Sequence, residues 1–368
     1  MMTNTYDIAI IGGGIMGCGA ALRIKEGGMD PVVIDQGDIG QGASGVNAGT
    51  LSMQIKRVKL MPYAIKGHHE WQLMGEKVGF KKTGGLTLAF NDREAELLQE
   101  RMTMKRDAGA DITFVNPKKV EEIEPHLAKK IVAASFCPDD GYANSSLSGQ
   151  YYRGRLTDEN IDTIERFQVS EININSNGYE ISSGDQVIKA TRILIACGGS
   201  TKHVAAMLGE DLPIRARINT VSVTERAPRI MNGVIGHATG LLTMKQKDNG
   251  TVLIGGGWQG KGTPEEGRGA INPETLLPNL QLAQFAVPTL SKVRVVRSWT
   301  GFEANVPDFY PLAGRLGEKD NAYILGCVRG GYTIGPYISK LMGDLILGRE
   351  PEMPLFDPNR VFNEDKLI

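Results

Sequence analysis

Glycines set between two short apolar runs carry the clearest chemistry in this 368-residue chain. Ile8 to Ile11 lead directly into Gly12-Gly13-Gly14-Ile15-Met16-Gly17. A helix-like segment follows from Cys18 to Glu26, and Pro31 to Ile34 form a second apolar run that ends at Asp35 and Gln36. Strand, glycine turn, helix, strand and acid, in that order, make a βαβ unit suited to a dinucleotide. Gly12 permits a tight turn. Gly14 leaves room for a pyrophosphate to approach the main chain, and Gly17 lets the helix pack close to the strand. The first helical turn, at Ile15 and Met16, offers N–H groups and a partial positive charge to phosphates. Asp35 is placed to accept from a ribose hydroxyl, and its charge disfavours a 2′-phosphate. The motif by itself leaves FAD and NAD both open.

Three further segments have the same bare character. Gly37 to Gly49, GDIGQGASGVNAG, cannot build a core, so its backbone is expected to lie against something flat or bulky, with Ser44 and Asn47 supplying hydrogen bonds. Arg192 to Ser200, RILIACGGS, read as a buried apolar strand ending in small residues, whose Ala196-Cys197-Gly198 suggest a second close approach of main chain to a ligand. Arg329 to Pro336, RGGYTIGP, is a third glycine-rich strand end. Lys56 and Arg57, just past the first of these segments, read first as solvated charges, with oxygen activation or binding of a second flavin as the alternative for one of them.

Composition excludes several functions. The net charge of −1 gives no electrostatic case for nucleic acid or an anionic membrane. Four scattered cysteines form no CxxC pair, so no zinc ribbon or cysteine-ligated iron–sulfur cluster is expected; their sparsity fits a reducing cytoplasm. The five histidines are not at metal-ligand spacing. MMTNTYD lacks a basic leader region, so no secretory signal is expected, and no apolar run is long enough for a membrane helix.

The elements that must position these residues alternate in type. Helices are expected at 61–78, 94–108, 117–123, 146–155, 272–287 and 338–347. Strands are expected at 83–90, at 165–181 around an Asn175–Gly178 turn, at 214–225, at 241–256 around Asp248-Asn249-Gly250, and at 292–301 and 322–326. Ser135 to Asn144 reads as a turn-rich loop. The expected architecture is α/β: a discontinuous Rossmann-like dinucleotide domain (1–85, 145–213, 315–368) interrupted by an α+β substrate domain with an antiparallel sheet (86–144, 214–314).

The ordered set GGGIMG, GASGVNAGTL, RILIACGGST, RSWTGFEANVPDFYPLAG and CVRGGYTIGPYI resembles the glycine oxidase and D-amino-acid oxidase (DAO) family of FAD-dependent oxidoreductases over nearly the whole chain. The last two segments resemble most the β subunits of heteromeric amine oxidoreductases: opine (octopine and nopaline) oxidases, hydroxyproline dehydrogenase, hydrogen cyanide synthase and heterotetrameric sarcosine oxidase. The resemblance implies non-covalent FAD. Gly12, Gly14 and Gly17 would cradle the pyrophosphate, and Asp35 with Gln36 would hold the adenosine ribose. Ser44, Asn47, Ala48, Gly49 and Thr50 would line the isoalloxazine side, and Val169 would touch the adenine. Ala196, Cys197 and Gly198 would close over the nucleotide. Arg329, Gly330, Gly331, Tyr332 and Thr333 would reach the pyrimidine end, where N–H groups stabilise reduced flavin.

It also implies hydride transfer from an amine carbon to flavin N5, giving an imine that hydrolyses, with no protein nucleophile. The implied partners are an α subunit carrying a second nucleotide site and a small [2Fe-2S] subunit. A stand-alone oxidase making hydrogen peroxide is the alternative. The histidine that binds flavin covalently in heterotetrameric sarcosine oxidase would fall near Ser148 to Tyr151, where there is none; an FMN at a subunit interface stays open.

Two departures bear on the substrate. Where the glycine oxidase pattern has a carboxylate-clamping arginine after Trp299-Thr300-Gly301-Phe302, this chain has Glu303. That pattern's substrate tyrosine, near Thr243 and Met244, is absent, while its second arginine is kept as Arg329. An opine, a secondary amine between two acids, fits better than a simple D-amino acid or glycine. Glu303 is expected either to bind a guanidinium or ammonium or to pair structurally with Arg297. Arg329 clamps a carboxylate, touches the flavin, or bonds strand-end carbonyls. Thr50, Met244 and Tyr332 complete the candidate substrate positions, with Tyr332 and Trp299 reading first as packing residues.

Overall fold

The structure is a computed structural model that describes residues 5–362, except 265, 268 and 318–320. Met1 to Asn4, which carry most of the N-terminal reading above, and the last six residues of the expected dinucleotide domain lie outside the described residues. The chain forms two compact units and crosses between them after Val46, Asn144, Arg217 and Gly301.

Unit 1 takes Met1–Val46, Ser145–Arg217 and Phe302–Leu367. Its centre is a six-stranded sheet built from β1 (Ile8–Ile11), β2 (Pro31–Ile34), β3 (Asp162–Ile164), β4 (Ile193–Ile195), β5 (Leu312–Arg315) and β6 (Ala322–Gly326), in the order β3-β2-β1-β4-β6-β5. Every pair is parallel except β5 with β6. Parallel strands covered on both faces need unbroken apolar runs. Those of β1, β2 and β4 are buried throughout. Helices α1 (Ile15–Glu26), α2 (Ser145–Asp158) and α3 (Gly331–Ile346) complete the elements that matter for the site. A second, four-stranded sheet contains the expected hairpin, with Glu171–Asn175 paired to Gly178–Ser183.

The final helix corrects the sequence reading. RGGYTIGP is not a loop that precedes a helix at 338: α3 begins at Gly331 and contains Pro336. Its glycines serve helix packing. A Cβ on Gly335 would lie 2.8 Å from Ile15 Cδ1, and one on Gly331 would lie 2.9 Å from Met16 Cε. These bare positions let α3 lie directly on the first turn of α1.

Unit 2 takes Asn47–Asn144 and Ile218–Gly301. An eight-stranded mixed sheet includes Gly85–Ala89, Ala133–Cys137, Val234–His237, Thr243–Gln246 and Thr251–Gly255. Its core gathers Leu86, Ile235, Met244, Val252 and Ile254 against Ala283 and Ala286 of the Pro273–Ala286 helix. A three-stranded sheet pairs Thr50–Leu51 and Lys81–Lys82 with Gly141–Tyr142. Ser135 to Asn144 is therefore not a turn-rich loop but parts of two strands joined at a buried Asp140. That pairing joins residues 47–85 to unit 2, and residues 302–314 belong to unit 1.

One contact tests the βαβ packing. A Cβ on Gly17 would stand 2.0 Å from the Gly12 carbonyl oxygen, main chain against main chain. Gly17→Ala is expected to destabilise unit 1 by about 1–3 kcal/mol, the range for overpacking a close-packed interior. The check is a denaturant midpoint that falls with an unchanged slope; an unaltered midpoint would refute the contact.

Candidate functional site

The glycine turn after β1 is fixed by backbone geometry on three sides. Gly12 has φ +112°, a conformation that side chains resist, and a Cβ there would meet the Ala196 carbonyl oxygen at 2.3 Å. The Ala196 N–H in turn donates to the Ile11 carbonyl at 2.8 Å. Asp35 braces the turn: its Oδ2 accepts from the Gly13 N–H and its Oδ1 from the Gly37 N–H, each at 2.7 Å. Each carboxylate oxygen keeps a lone pair for a further donor. Gln36 beside it is exposed.

Gly14 differs from its neighbours. It is extended (φ −72°, ψ 175°), and a Cβ on it would meet only Ser44 Oγ, at 3.1 Å. A side chain here would need only Ser44 Oγ to give by a few tenths of an ångström, so packing constrains Gly14 far less than Gly12 or Gly17. Its bareness leaves main chain accessible where α1 starts and its first N–H groups have no helical partner. Ser44 Oγ accepts from the Ile15 N–H at 3.0 Å. Gly198, after β4, has φ +53° with nothing within 4 Å of a would-be Cβ. Val169, expected to touch the adenine, is buried in the unit 1 core cluster.

The start of α3 brings together a second group, all within unit 1. Gly330 caps the helix with φ +70°, and its N–H donates to Glu303 Oε1 at 2.9 Å. Arg329 precedes it. Burial, followed by the positive charge of Arg329, lowers the Arg217 pKa from its usual value, and Glu303 opposes that shift. Arg217 Nε is buried with no hydrogen-bond partner among the described residues. Sequence reading missed Arg217; its only signal is a cationic position in the alternating RARIN stretch. With two guanidinium groups near one carboxylate, the cluster is net positive. Tyr332 shares a hydrogen bond with Ser148 on α2, and burial raises its phenol pKa. It ties two helices together, in keeping with a packing residue. Thr333 is fully buried, and its Oγ1 has no partner among the described residues.

The remaining candidate residues belong to unit 2. Asn47 Oδ1 accepts from the Gly49 N–H at 2.6 Å, Gly49 has φ +72°, and its carbonyl accepts from the Ala143 N–H at 2.9 Å. Ala48 is half-buried between them. Thr50 Oγ1 accepts from Lys245 Nζ at 2.5 Å. Met244 is a correction: its side chain lies wholly in the unit 2 core. Strand alternation sends its neighbour Lys245 to the opposite face, and that residue was also missed. Lys56 is 4 % exposed, so it is not the solvated charge expected. Asp140 accepts from Ser52 Oγ (2.6 Å), the Met53 N–H (2.7 Å) and Gln54 Nε2 (3.1 Å). It thereby organises the turn that follows Thr50 and Leu51. Among the described residues no three His, Cys, Asp or Glu side chains are placed to hold a metal.

The profile of the DAO family, described as FAD dependent oxidoreductase, matches residues 7–345. The chain belongs to the DAO family. An opine oxidase subunit of Rhizobium meliloti is 25% identical over 341 residues, covering 88% of this chain and 89% of that protein. Glycine oxidase of Geobacillus kaustophilus (strain HTA426) is 24% identical over 367 residues and 96% of each chain. The crystal structure of glycine oxidase from Geobacillus kaustophilus superposes with a TM-score of 0.89 at 21% identity, covering 98% of this chain and all of that one, which establishes the shared fold. This DAO family member is an FAD-dependent oxidoreductase. The residues present fit such a cofactor: a turn that only glycine can form, an open approach at Gly14, and an orphaned buried hydroxyl on Thr333.

Gly14→Val separates folding from cofactor binding. The variant is expected to fold with the secondary structure of the wild type and to purify colourless, because its branches would fill the phosphate approach. A folded variant with a full flavin spectrum would remove Gly14 from the cofactor site.

Proposed function

We propose that this DAO family protein oxidises a secondary or primary amine bearing carboxylates, an opine or amino-acid-like substrate, as the β subunit of a heteromeric oxidoreductase. The observation that carries the reading is the positive cluster of Arg217, Arg329 and Glu303, in which Arg217 Nε is buried and has no partner among the described residues. Guanidinium groups match carboxylates in shape and charge. Two of them near one partly engaged Glu303 suit a substrate with more than one acid. The likeness to a protein named as an opine oxidase subunit supports both the substrate class and the subunit role.

FAD, when bound, accepts a hydride from the carbon next to the amine nitrogen. In this reading Gly12, Gly14, Gly17 and the first turn of α1 hold the pyrophosphate, Asp35 holds the ribose, and Thr333 with the Gly330 and Gly331 main chain holds the pyrimidine end. Asn47, Ala48, Gly49 and Thr50 line the ring side. Arg217 and Arg329 draw in the substrate carboxylates. Glu303 has a positioning role: it bonds the Gly330 N–H and so orients Arg329. No nucleophile is called for, and burial pushes the thiols of Cys18, Cys137, Cys197 and Cys327 up, keeping them protonated.

Electrons would leave through an α subunit carrying a second nucleotide site and through a small [2Fe-2S] subunit, with an FMN at the interface as a further carrier. Co-purification from the native host tests this. The expected result is a complex whose turnover needs the partner chains; a lone chain that makes hydrogen peroxide from glycine or a D-amino acid at full rate would favour the stand-alone oxidase instead.

Arg217→Met is expected to lower kcat/KM for a dicarboxylic opine by about 10- to 150-fold, following about 1.5–3 kcal/mol for a hydrogen bond to a charged group. Glycine should lose less. Equal losses for both, in steady-state assays at one pH, would dismiss Arg217 as a carboxylate contact.

A further inference from the structure

The helix Pro273–Ala286 covers the unit 2 core with one face and turns an uncharged stripe outward. Asn279, Ala283 and Ala286 are buried. Leu277 (58 % exposed), Gln281 and Phe285 (45 % exposed) follow at intervals of four residues, so they form one outward row. The nineteen residues from Pro273 to Ser291 hold a single charged side chain, Glu274, in a chain that is 23% charged. The helix Asp92–Asp107, by contrast, exposes Arg93, Glu96 and Glu100. The apolar surface also runs on beyond the row. Ile271, just before the cap residue Asn272, and Leu241 are each 38 % exposed, and the Leu241 carbonyl accepts from Asn279 Nδ2 at 3.3 Å, beside the helix. One exposed leucine is ordinary; several around a helix stripped of charge are the mark of a surface built to be covered.

The spacing within the row identifies what covers it. On a two-fold axis each residue meets its own copy. A carboxylate or an ammonium there would face like charge, whereas an amide is donor and acceptor at once and can bond its twin. Gln281 is such a residue, and it lies midway between Leu277 and Phe285. An antiparallel pair of these helices centred on Gln281 sets Leu277 of each copy against Phe285 of the other. It also sets Glu274 beside Pro288 of the other copy, four residues short of Lys292 at the end of the following 3-10 turn. That gap is about 8 Å at the 2 Å rise of a 3-10 helix, within reach of two long side chains. Glu274 and Lys292 are both exposed, so opposite charges meet at each end of the pair. We infer that this face of unit 2 binds a second copy of the chain through an isologous helix pair with Gln281 on the axis. The inference concerns unit 2 alone and does not rest on the amine-oxidation reading.

Sedimentation of the full-length, flavin-loaded protein over a range of concentrations tests it. The wild type should approach twice the mass of one chain. Gln281→Glu and Gln281→Lys each place like charges on the axis. Each should raise the dimer dissociation constant by about 10- to 100-fold, the effect of juxtaposed like charges in an interface. Gln281 is exposed, so the circular dichroism of both variants should match the wild type. Mixed in equal amounts, the two variants should re-form the dimer, because the mixed pair sets Glu against Lys. A residue away from the axis would not give this pattern.

A wild-type protein that stays monomeric at every concentration overturns the proposal. A dimer that both variants retain, or one that their mixture fails to restore, removes Gln281 from the axis and overturns it equally. A monomer whose helix 273–286 gains protection from amide exchange only inside a native complex would assign the face to a different chain and dismiss the second copy.

Discussion

Main chain meeting main chain at Gly12, Gly17 and Ala196 is the constraint on which unit 1 depends. The Ala196 N–H bonds the Ile11 carbonyl, and the Gly12 carbonyl faces the bare Cα of Gly17. No side chain fits in either gap, so strand β1, helix α1 and strand β4 are held at one spacing. That spacing sets where the first turn of α1 points and therefore where phosphates can sit. Gly335 and Gly331 extend the same principle to α3, which lies on Ile15 and Met16. Close packing of this kind has little slack, because interiors cannot yield by a full atomic diameter without a backbone shift.

Much of unit 1 was legible because its signals are local. A four-residue apolar run, a glycine turn and an acid occupy one stretch of sequence, and each acts on its neighbours in the chain. Proline and asparagine caps marked Pro117–Ile123 and Pro273–Ala286 in the same way. The failures came where meaning depends on a distant partner. RGGYTIGP has the composition of a loop, and only contact with α1 makes its glycines helical. Asp139 and Asp140 are adjacent in sequence, yet one pairs with exposed Lys82 and the other is buried among Ser52, Met53 and Gln54. Nothing in a doublet of aspartates distinguishes those fates.

The candidate substrate residues illustrate the limit most clearly. Met244 and Lys245 are neighbours on one strand, and a register shift of one residue exchanges their faces. Its place near the family pattern's substrate tyrosine suggested Met244 for a ligand surface, but the pleat turns it into the core and sends the lysine the other way. Glu303 drew notice because it replaces an arginine, which invited a reading by charge reversal. Its surroundings include Arg217 and Arg329, which come from stretches of chain 86 and 26 residues away.

These observations suggest a division of labour within the chain. The groups assigned to the cofactor are mostly carbonyls, N–H groups and absent side chains, and at Gly12 and Gly17 their geometry is fixed by main-chain contacts that leave no room for a side chain. The groups assigned to the substrate are side chains on strand positions and on the rim of α3, where replacement leaves the backbone intact. That is why one cradle can be recognised at 25% identity to its relatives, while the side chains that select the amine must be read from their placement in the folded units.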